Sequence, residues 1–156
     1  VTEFLTVIAA NIYRKIKYKE STFYIIPEQN PGINLDFSIK SRLEESQDVH
    51  RKIKEFCIEN NVSGSRANLA AVCAEEMTVN IIKFGGKSSN WIDINLCLEE
   101  DILNLRIRDN GVNFNPLEYK NDSEEFDIHG IELVKKISKS MNYIRAVDMN
   151  NTIISF

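Results

Sequence analysis

Three polar side chains recur along one stretch of the chain at the spacing of a helical face. Glu76, Asn80 and Lys83 stand four and three residues apart within AAVCAEEMTVNIIKFGGK, residues 70–87, so a helix places them in one row. Phosphoryl transfer needs a metal ion and a positioned nucleophile more than covalent catalysis, and magnesium accepts an amide oxygen together with phosphate oxygens. The row suits that chemistry, although a solvated helix edge is its other interpretation.

The same stretch carries an apolar face that must dock on another element. Its members recur at three- and four-residue steps and are Ala70, Cys73, Ala74, Met77, Ile81 and Phe84. The polar row lies about a hundred degrees further round the helix, so it borders the core and does not lie opposite to it. We therefore expect this helix to form one wall of a polar cleft.

A second stretch, residues 103–117, places a carboxylate where an apolar residue is expected. Leu103, Leu105 and Ile107 alternate with polar residues, which predicts a half-buried strand, and Asp109 has the parity of the apolar set. A buried carboxylate without a donor costs several kcal/mol, and Gly111 allows close approach of backbone or ligand. Asp-Asn-Gly is also an ordinary turn signal, but a turn does not explain a carboxylate on the core side.

Three motifs thus follow one another in the chain: Glu76-x-x-x-Asn80 in a helix, Asp109-x-Gly111-x-Asn113-Phe114-x-Pro116 after a strand, and Gly130 at the start of another helix. In this order they resemble the GHKL ATPase superfamily, and within it the histidine-kinase-like ATPase domain of the anti-sigma-factor serine kinase type. The resemblance covers residues 33–156.

The resemblance implies ATP and Mg²⁺ as cofactors and gives each motif a role. Glu76 would polarise the attacking hydroxyl or water and is the catalytic candidate. Asn80 would hold Mg²⁺ that bridges the phosphates, and Lys83 matches a basic position that meets phosphate. Asp109 would accept a hydrogen bond from the adenine amino group, and Gly111 would let the base lie close.

Residues 110–128 form a long polar connection that the resemblance makes a lid over ATP. Phe114, within the second motif, is a further candidate contact of the nucleotide. The second glycine box departs from the family pattern, since Asp127-Ile128-His129-Gly130-Ile131 holds a single glycine. Gly130 and the amides after it could still meet phosphate, while His129 is open to a phosphate contact or to no role at all.

The elements between these motifs predict an α+β fold. Strands are expected at residues 33–39, 92–98, 103–109, 143–147 and 152–156, the last two in a hairpin around residues 148–151, and helices at residues 41–60, 70–87 and 131–141. Ser63 or Ser65 is the expected N-cap of the Glu76 helix. The fold implied is a two-layer sandwich of the Bergerat type, with a mixed, mainly antiparallel sheet, helices on one face, and ATP between helices and lid.

Composition limits the kind of molecule. With 156 residues, 43% of them hydrophobic, the chain has the size of one domain with a real core. A net charge of −4 excludes a general attraction for nucleic acid. Three cysteines without C-x-x-C spacing indicate packed thiols and a cytoplasmic location, not a disulfide framework or a zinc site.

Residues 1–32 differ from the ATP-binding domain predicted over residues 33–156. An apolar run from Phe4 to Tyr13 precedes a basic cluster, residues 14–19. The run is too short to span a bilayer, and a short amphipathic helix that packs on the domain or a partner is the preferred interpretation. The cytoplasmic end of a membrane tether in a longer protein, which fits a chain that begins at Val1, stays the alternative.

Two functions follow from the resemblance, and a degenerate fold retained only for protein contacts is a third interpretation. The first is an ATP-dependent protein-serine kinase of bacterial signalling that phosphorylates a regulatory partner of the anti-anti-sigma or sigma-like type. The second is a non-catalytic ATP-binding module that regulates a larger, membrane-anchored protein. Either is compatible with a homodimer.

Overall fold

The computed structural model describes residues 32–86, 91–119 and 129–156, which form five strands and three helices. In chain order these are β1 Ile33–Lys40, α1 Leu43–Glu59, α2 Gly64–Phe84, β2 Trp91–Glu99, β3 Ile102–Asp109, α3 His129–Ile137, β4 Ser140–Ala146 and β5 Met149–Ser155. The first three predicted strands and the first predicted helix are confirmed to within about two residues at each end. Ser63 occupies the N-cap position of α2, one of the two predicted N-caps, although without a side-chain cap hydrogen bond, and Gly85 follows the last turn of the helix.

The five strands form one sheet in the order β1-β2-β3-β5-β4. All four pairings are antiparallel, so the mainly antiparallel sheet is confirmed, and the described residues contain no parallel pair. The register places Asp109 opposite Ile92 of β2 on one side and opposite Asn150 of β5 on the other. The end of β3 is therefore flanked by paired strands.

Apolar residues that alternate along the strands meet the apolar stripes of the helices. The side chains without exposed surface include, from the sheet, Ile92, Leu96, Leu103, Leu105 and Ile154, and from the helices, Val49, Ile53, Ala70, Ala74, Ile131 and Val134. Burial of each large aliphatic side chain contributes about 1.5–3 kcal/mol. Cys57 and Cys73 are buried thiols, as predicted, and Cys97 is also buried and in no disulfide. Burial, followed by the nearby Glu76, raises the pKa of Cys73 to about 12.

The opposite face of the sheet is polar. Asn95 donates to Asp36 Oδ1 at 2.8 Å across β1 and β2, and Arg108 Nη2 lies 3.4 Å from Asp93 Oδ2 across β2 and β3. The three helices of the described residues pack on one face of the sheet, and the two-layer α+β sandwich is confirmed.

Two predicted boundaries near the end of the chain were wrong. The helix expected over residues 131–141 ends at Ile137, and Met141 lies in β4. Lys139 N donates to Ser155 O at 2.8 Å, so pairing with β5 begins two residues after the helix. Met141 packs against the core from a strand, a position that the helical four-residue step from Ile137 also allowed.

The turn of the last hairpin is also tighter than predicted. We expected residues 148–151 to connect the strands, but the turn consists of Val147 and Asp148, with φ of 51° and 58°. Positive φ at both central residues is the signature of a type I′ turn. As a result Asn150 belongs to β5 and faces the core.

Several predictions fall outside the described residues. They concern the segment of residues 1–20, the linker of residues 21–31 that follows it, and the part of the expected lid at residues 120–128. The domain boundary at residue 32 stays a prediction. None of the helices that the structure describes has both the length and the apolar character needed to cross a membrane.

The hairpin turn leads to a stability prediction. Val147 is 95% exposed and holds a left-handed conformation that costs an L residue about 1–2 kcal/mol and suits asparagine better than a β-branched residue. We expect Val147→Asn to raise the free energy of unfolding by about 1 kcal/mol, measured by urea denaturation.

Ile144→Asn is the matched control, because Ile144 is 56% exposed on β4 itself. Asparagine is unfavourable within a strand, so this variant should gain no stability. An equal gain in both variants would mean that removal of surface apolar area, and not backbone strain, is responsible.

Candidate functional site

Helix α2 holds Glu76 and Asn80 one turn apart at the edge of its buried face. Asn80 is 5% exposed, and its Nδ2 donates to the Glu76 carbonyl oxygen at 2.8 Å. This bond fixes the amide orientation, and Asn80 Oδ1 is buried without a hydrogen-bond partner among the residues described. A buried polar atom without a partner costs about 1–3 kcal/mol, so Asn80 Oδ1 is a ready acceptor for a ligand cation or donor.

Asp109 ends β3 on the core side of the sheet, as its parity predicts. It is 4% exposed, and its Oδ1 accepts hydrogen bonds from Gly111 N at 2.8 Å and from Asn150 Nδ2 at 2.9 Å. Both bonds within the described residues fall on Oδ1, so Oδ2 is the oxygen available to a ligand. Burial raises the pKa of Asp109, while the bonds from Asn150 and Gly111 and the charge of Arg145 oppose that rise.

A pocket lies between α2 and the ends of β3 and β5. About 390 Å³ in and around the pocket is free of protein atoms, a volume that includes open solvent at its mouth. Its walls are mainly apolar, with a few polar side chains that converge on them, which is typical of a small-molecule site. The lining residues are Met77, Asn80, Ile81, Phe84, Gly85, Asp109, Val112, Phe114, Pro116, Asn150 and Thr152.

Gly111 is required by the packing behind Asp109. A Cβ at this position would lie 2.7 Å from Asp109 Oδ1 and 2.8 Å from the Gly85 carbonyl oxygen. Val112 N donates to the same carbonyl at 2.9 Å, so the end of α2 and the loop after β3 are joined backbone to backbone. Gly111 thus shapes the pocket from behind and is not among its lining residues.

The first turn of α3 lies directly against the Glu76-Asn80 pair. A Cβ on Gly130 would collide with Glu76 Oε2 and would lie 3.1 Å from Asn80 Nδ2. Gly130 is therefore the residue that lets the start of α3 approach these two side chains. Two predicted site residues of α2 and a third from α3, about 50 residues further along the chain, are thus brought together.

Other predicted site residues are placed differently. Lys83 is exposed and is not among the lining residues of the pocket. Glu76 is half-buried against Gly130 and also does not line the pocket. His129 is the first residue of α3, and its side chain lies outside what the structure describes.

The described part of the expected lid rests on α3. Lys135 Nζ donates to the carbonyl oxygens of Leu117 and Tyr119 at 3.1 and 3.0 Å. The Phe114 ring, which lines the pocket, contacts the Tyr119 ring with 5.9 Å between centroids. The helix that carries Gly130 thus also supports the segment that carries Phe114.

Sequence reasoning missed Asn150 and Thr152, which line the pocket from β5. It also missed Tyr143 and Arg145, which lie within hydrogen-bond distance of Asn150 Oδ1, both at 2.7 Å. The sequence did contain an indication, because residues 150, 152 and 154 alternate along one strand and therefore face the same side of the sheet as the buried Ile154. The incorrect hairpin turn concealed it.

We predict that Gly130→Ala displaces the Glu76 carboxylate, because the new methyl group needs the space that this carboxylate occupies. The cost should be at the lower end of the roughly 1–3 kcal/mol of overpacked sites, about 1 kcal/mol of unfolding free energy, because the displaced atom is the end of a flexible side chain; it is measured by urea denaturation.

Gly64→Ala is the matched control. Gly64 also lies in the first turn of a helix, but a Cβ there meets nothing within 4 Å, and alanine is the better helix former by about 1 kcal/mol. Gly64→Ala should therefore be neutral or stabilising, and a similar loss in both variants would contradict the close packing of Gly130.

Comparison with known proteins adds no assignment: the sequence matches no family model and no curated protein. The function of the site has to be inferred from its residues and their geometry.

Proposed function

We propose that this chain is an ATP-binding domain that transfers the γ-phosphate of ATP to a serine of a partner protein. The observation that carries the proposal is one mainly apolar pocket lined both by Asp109, whose carboxylate is buried, and by Asn80, whose amide oxygen has no hydrogen-bond partner among the described residues. The first group suits the amino group of a base, and the second suits a cation that accompanies phosphates.

The base end of the pocket favours a flat, mainly apolar ligand with one donor group. Met77, Ile81 and Phe114 supply apolar surface, and Asp109 supplies an acceptor in a desolvated setting. Adenine offers an amino group at its edge, whereas a carbonyl in that place would face the carboxylate as a second acceptor. Such a mismatch leaves buried polar groups unpaired and costs affinity.

The phosphate end is supported by the chemistry of Asn80 and by the start of α3. Mg²⁺ takes oxygen ligands, keeps several waters, and when bound would neutralise charge on the phosphates. The described residues contain no group of three or more His, Cys, Asp or Glu side chains that could hold a metal ion. Asn80 Oδ1 would contribute one oxygen ligand, and backbone N–H groups in the first turn of α3 suit phosphate oxygens.

Glu76 is the proposed general base for the attacking hydroxyl. It lies one helical turn from Asn80 and touches Gly130, so it borders the proposed phosphate end. The partner would be a regulatory protein of the anti-anti-sigma or sigma-like type, and the reaction would take place in the cytoplasm, where buried free thiols such as those found here stay reduced.

One observation favours a second function, a non-catalytic ATP-binding module that regulates a larger protein. The Glu76 carboxylate is packed against Gly130 and does not line the pocket. If this packing persists with nucleotide bound, Glu76 has no hydroxyl to activate and the domain binds without transfer.

We expect Asp109→Asn to weaken binding of ATP with Mg²⁺ by about 10- to 100-fold, the value of one charge-assisted hydrogen bond, in isothermal titration calorimetry. Asp93→Asn is the control, because Asp93 faces the polar side of the neighbouring strand, and its ATP affinity should stay unchanged. Equal affinity of Asp109→Asn and the wild type would contradict the base-binding role.

The same variant should be more stable than the wild type at neutral pH. A carboxyl with a raised pKa stabilises the fold fully only below its ordinary pKa of 3.8, and that contribution is lost as pH rises through the raised value. Asparagine keeps the Oδ1 acceptor without the charge. The gain should therefore be present at pH 7 and shrink as pH falls toward 3.8, measured by urea denaturation across pH.

Glu76→Gln separates the two functions. For a kinase, we expect ATP affinity within about threefold of the wild type and phosphoryl transfer lower by about 10²- to 10⁴-fold, the usual contribution of a general base. Transfer is measured with γ-labelled ATP, to water and to the partner protein. Glu75→Gln, next to it on α2, is the control and should keep full transfer.

Undiminished transfer by Glu76→Gln would remove Glu76 from the mechanism. A wild-type chain that binds ATP but transfers phosphate to neither acceptor would establish the regulatory module instead.

A further inference from the structure

Asn150 has hydrogen-bond partners on both polar atoms of its side chain. Its Nδ2 donates to Asp109 Oδ1 and to the Val112 carbonyl oxygen, both at 2.9 Å. Its Oδ1 lies 2.7 Å from both the Tyr143 hydroxyl and Arg145 Nη1. A carboxylate and a carbonyl only accept, and a guanidinium only donates, so these partners allow one orientation of the amide.

These contacts form a row across three neighbouring strands. Asp109 of β3 is in register with Asn150 of β5, which is in register with Arg145 of β4. Asn150 is 5% exposed and lines the pocket beside Asp109. A neutral amide thus connects a buried carboxylate to a cation that does not touch it directly.

This row of contacts restrains the Asp109 carboxylate. With Asn150 and Gly111 both donating to Oδ1, the side chain of Asp109 has one favoured rotamer, in which Oδ2 is left for the ligand. Among the effects that oppose the burial-induced rise in the pKa of Asp109, the hydrogen bond from Asn150 is the largest.

We propose that Asn150, held by Tyr143 and Arg145, is the positioning residue that sets the nucleobase specificity of the pocket through its hydrogen bond to Asp109. The inference rests on the proposed function, since it takes the ligand of Asp109 to be the amino group of a purine base. Asn150 acts on the orientation and the ionisation of Asp109, and the amino group binds to the Asp109 carboxylate.

The groups that face Asp109 make this role testable by titration. From β4, Arg145 and Tyr143 are the charged and titratable groups, and both act through or beside Asn150. From α2, the residues that line the same pocket, among them Met77 and Asn80, carry no titratable group. From β2, the register partner is the apolar Ile92.

Asn150→Asp is the sharpest variant because it preserves shape. The new carboxylate still accepts from Tyr143 and Arg145, but it replaces the donor to Asp109 by a second acceptor. The Asp109 carboxyl, followed by carbon-13 NMR in the ligand-free protein, should titrate at higher pH than in the wild type. Asn142→Asp is the matched control, because Asn142 is an exposed asparagine of β4 on the other face, and it should leave the midpoint in place.

The ligand experiment compares ATP with the triphosphate of purine riboside, which lacks the 6-amino group. The wild type should bind ATP about tenfold or more tightly than the analogue, and this preference should disappear as pH falls through the Asp109 midpoint. In Asn150→Asp and Asn150→Ala the ratio of the affinities for ATP and for the analogue should fall to within about threefold at neutral pH.

The outcomes separate this inference from the proposed function. A wild-type chain that binds neither triphosphate overturns both. If the wild type prefers ATP and both variants keep that preference and the wild-type midpoint, only the role of Asn150 is wrong. If circular dichroism shows that the Asn150 variants do not fold, Tyr143→Phe replaces them, because it removes one donor to Asn150 Oδ1. This variant must raise the Asp109 titration midpoint and reduce the preference for ATP over the analogue. If it changes neither, the inference fails.

Discussion

The burial of one carboxylate at the end of β3 is the constraint on which the candidate site depends. Asp109 takes a position on the core face where the residues before it are apolar, so its charge must be satisfied by protein donors or by a ligand. The local structure is arranged around that requirement. Gly111, which has no side chain to collide with the Gly85 backbone, turns the chain so that its own N–H reaches Oδ1, and β5 supplies the amide of Asn150.

Helix α2 joins this end of the pocket to the other. Its apolar stripe fixes its distance from the sheet, and the same face turns Asn80 toward the pocket. Helix α3 then ties the two ends together, since Gly130 packs on Glu76 while Lys135 holds the carbonyls of Leu117 and Tyr119. A movement of α3 that gave a ligand access to Glu76 would therefore also shift the segment that carries Phe114. Ligand binding at one end of the pocket would thus change the structure of the other end.

Local sequence patterns were sufficient to predict most of the fold and part of the candidate site. The parity of Asp109 and the helical row of Glu76 and Asn80 are short-range properties. Asp109 is buried as its parity implied, and at the edge of α2 Asn80 is buried and Glu76 half-buried. The contacts of Gly130 and Asn150 depend on register between distant elements, which no single stretch reveals. The incorrect turn arose because Val147 is an unusual residue for a type I′ conformation, whereas the asparagines after it are usual turn residues.

The fold alone does not explain why position 109 is an aspartate and not an asparagine. If Asp109 served the fold alone, an asparagine would do as well, since its Oδ1 could accept from Gly111 and Asn150 without the cost of burying a charge. Burial raises the pKa of the carboxyl, which means that the ionised group opposes the fold at neutral pH. The charge therefore has no structural purpose that the neutral amide could not fulfil. What the carboxylate adds is a second strong acceptor, Oδ2, on a residue that lines a pocket, and this supports the proposal that Asp109 binds a ligand.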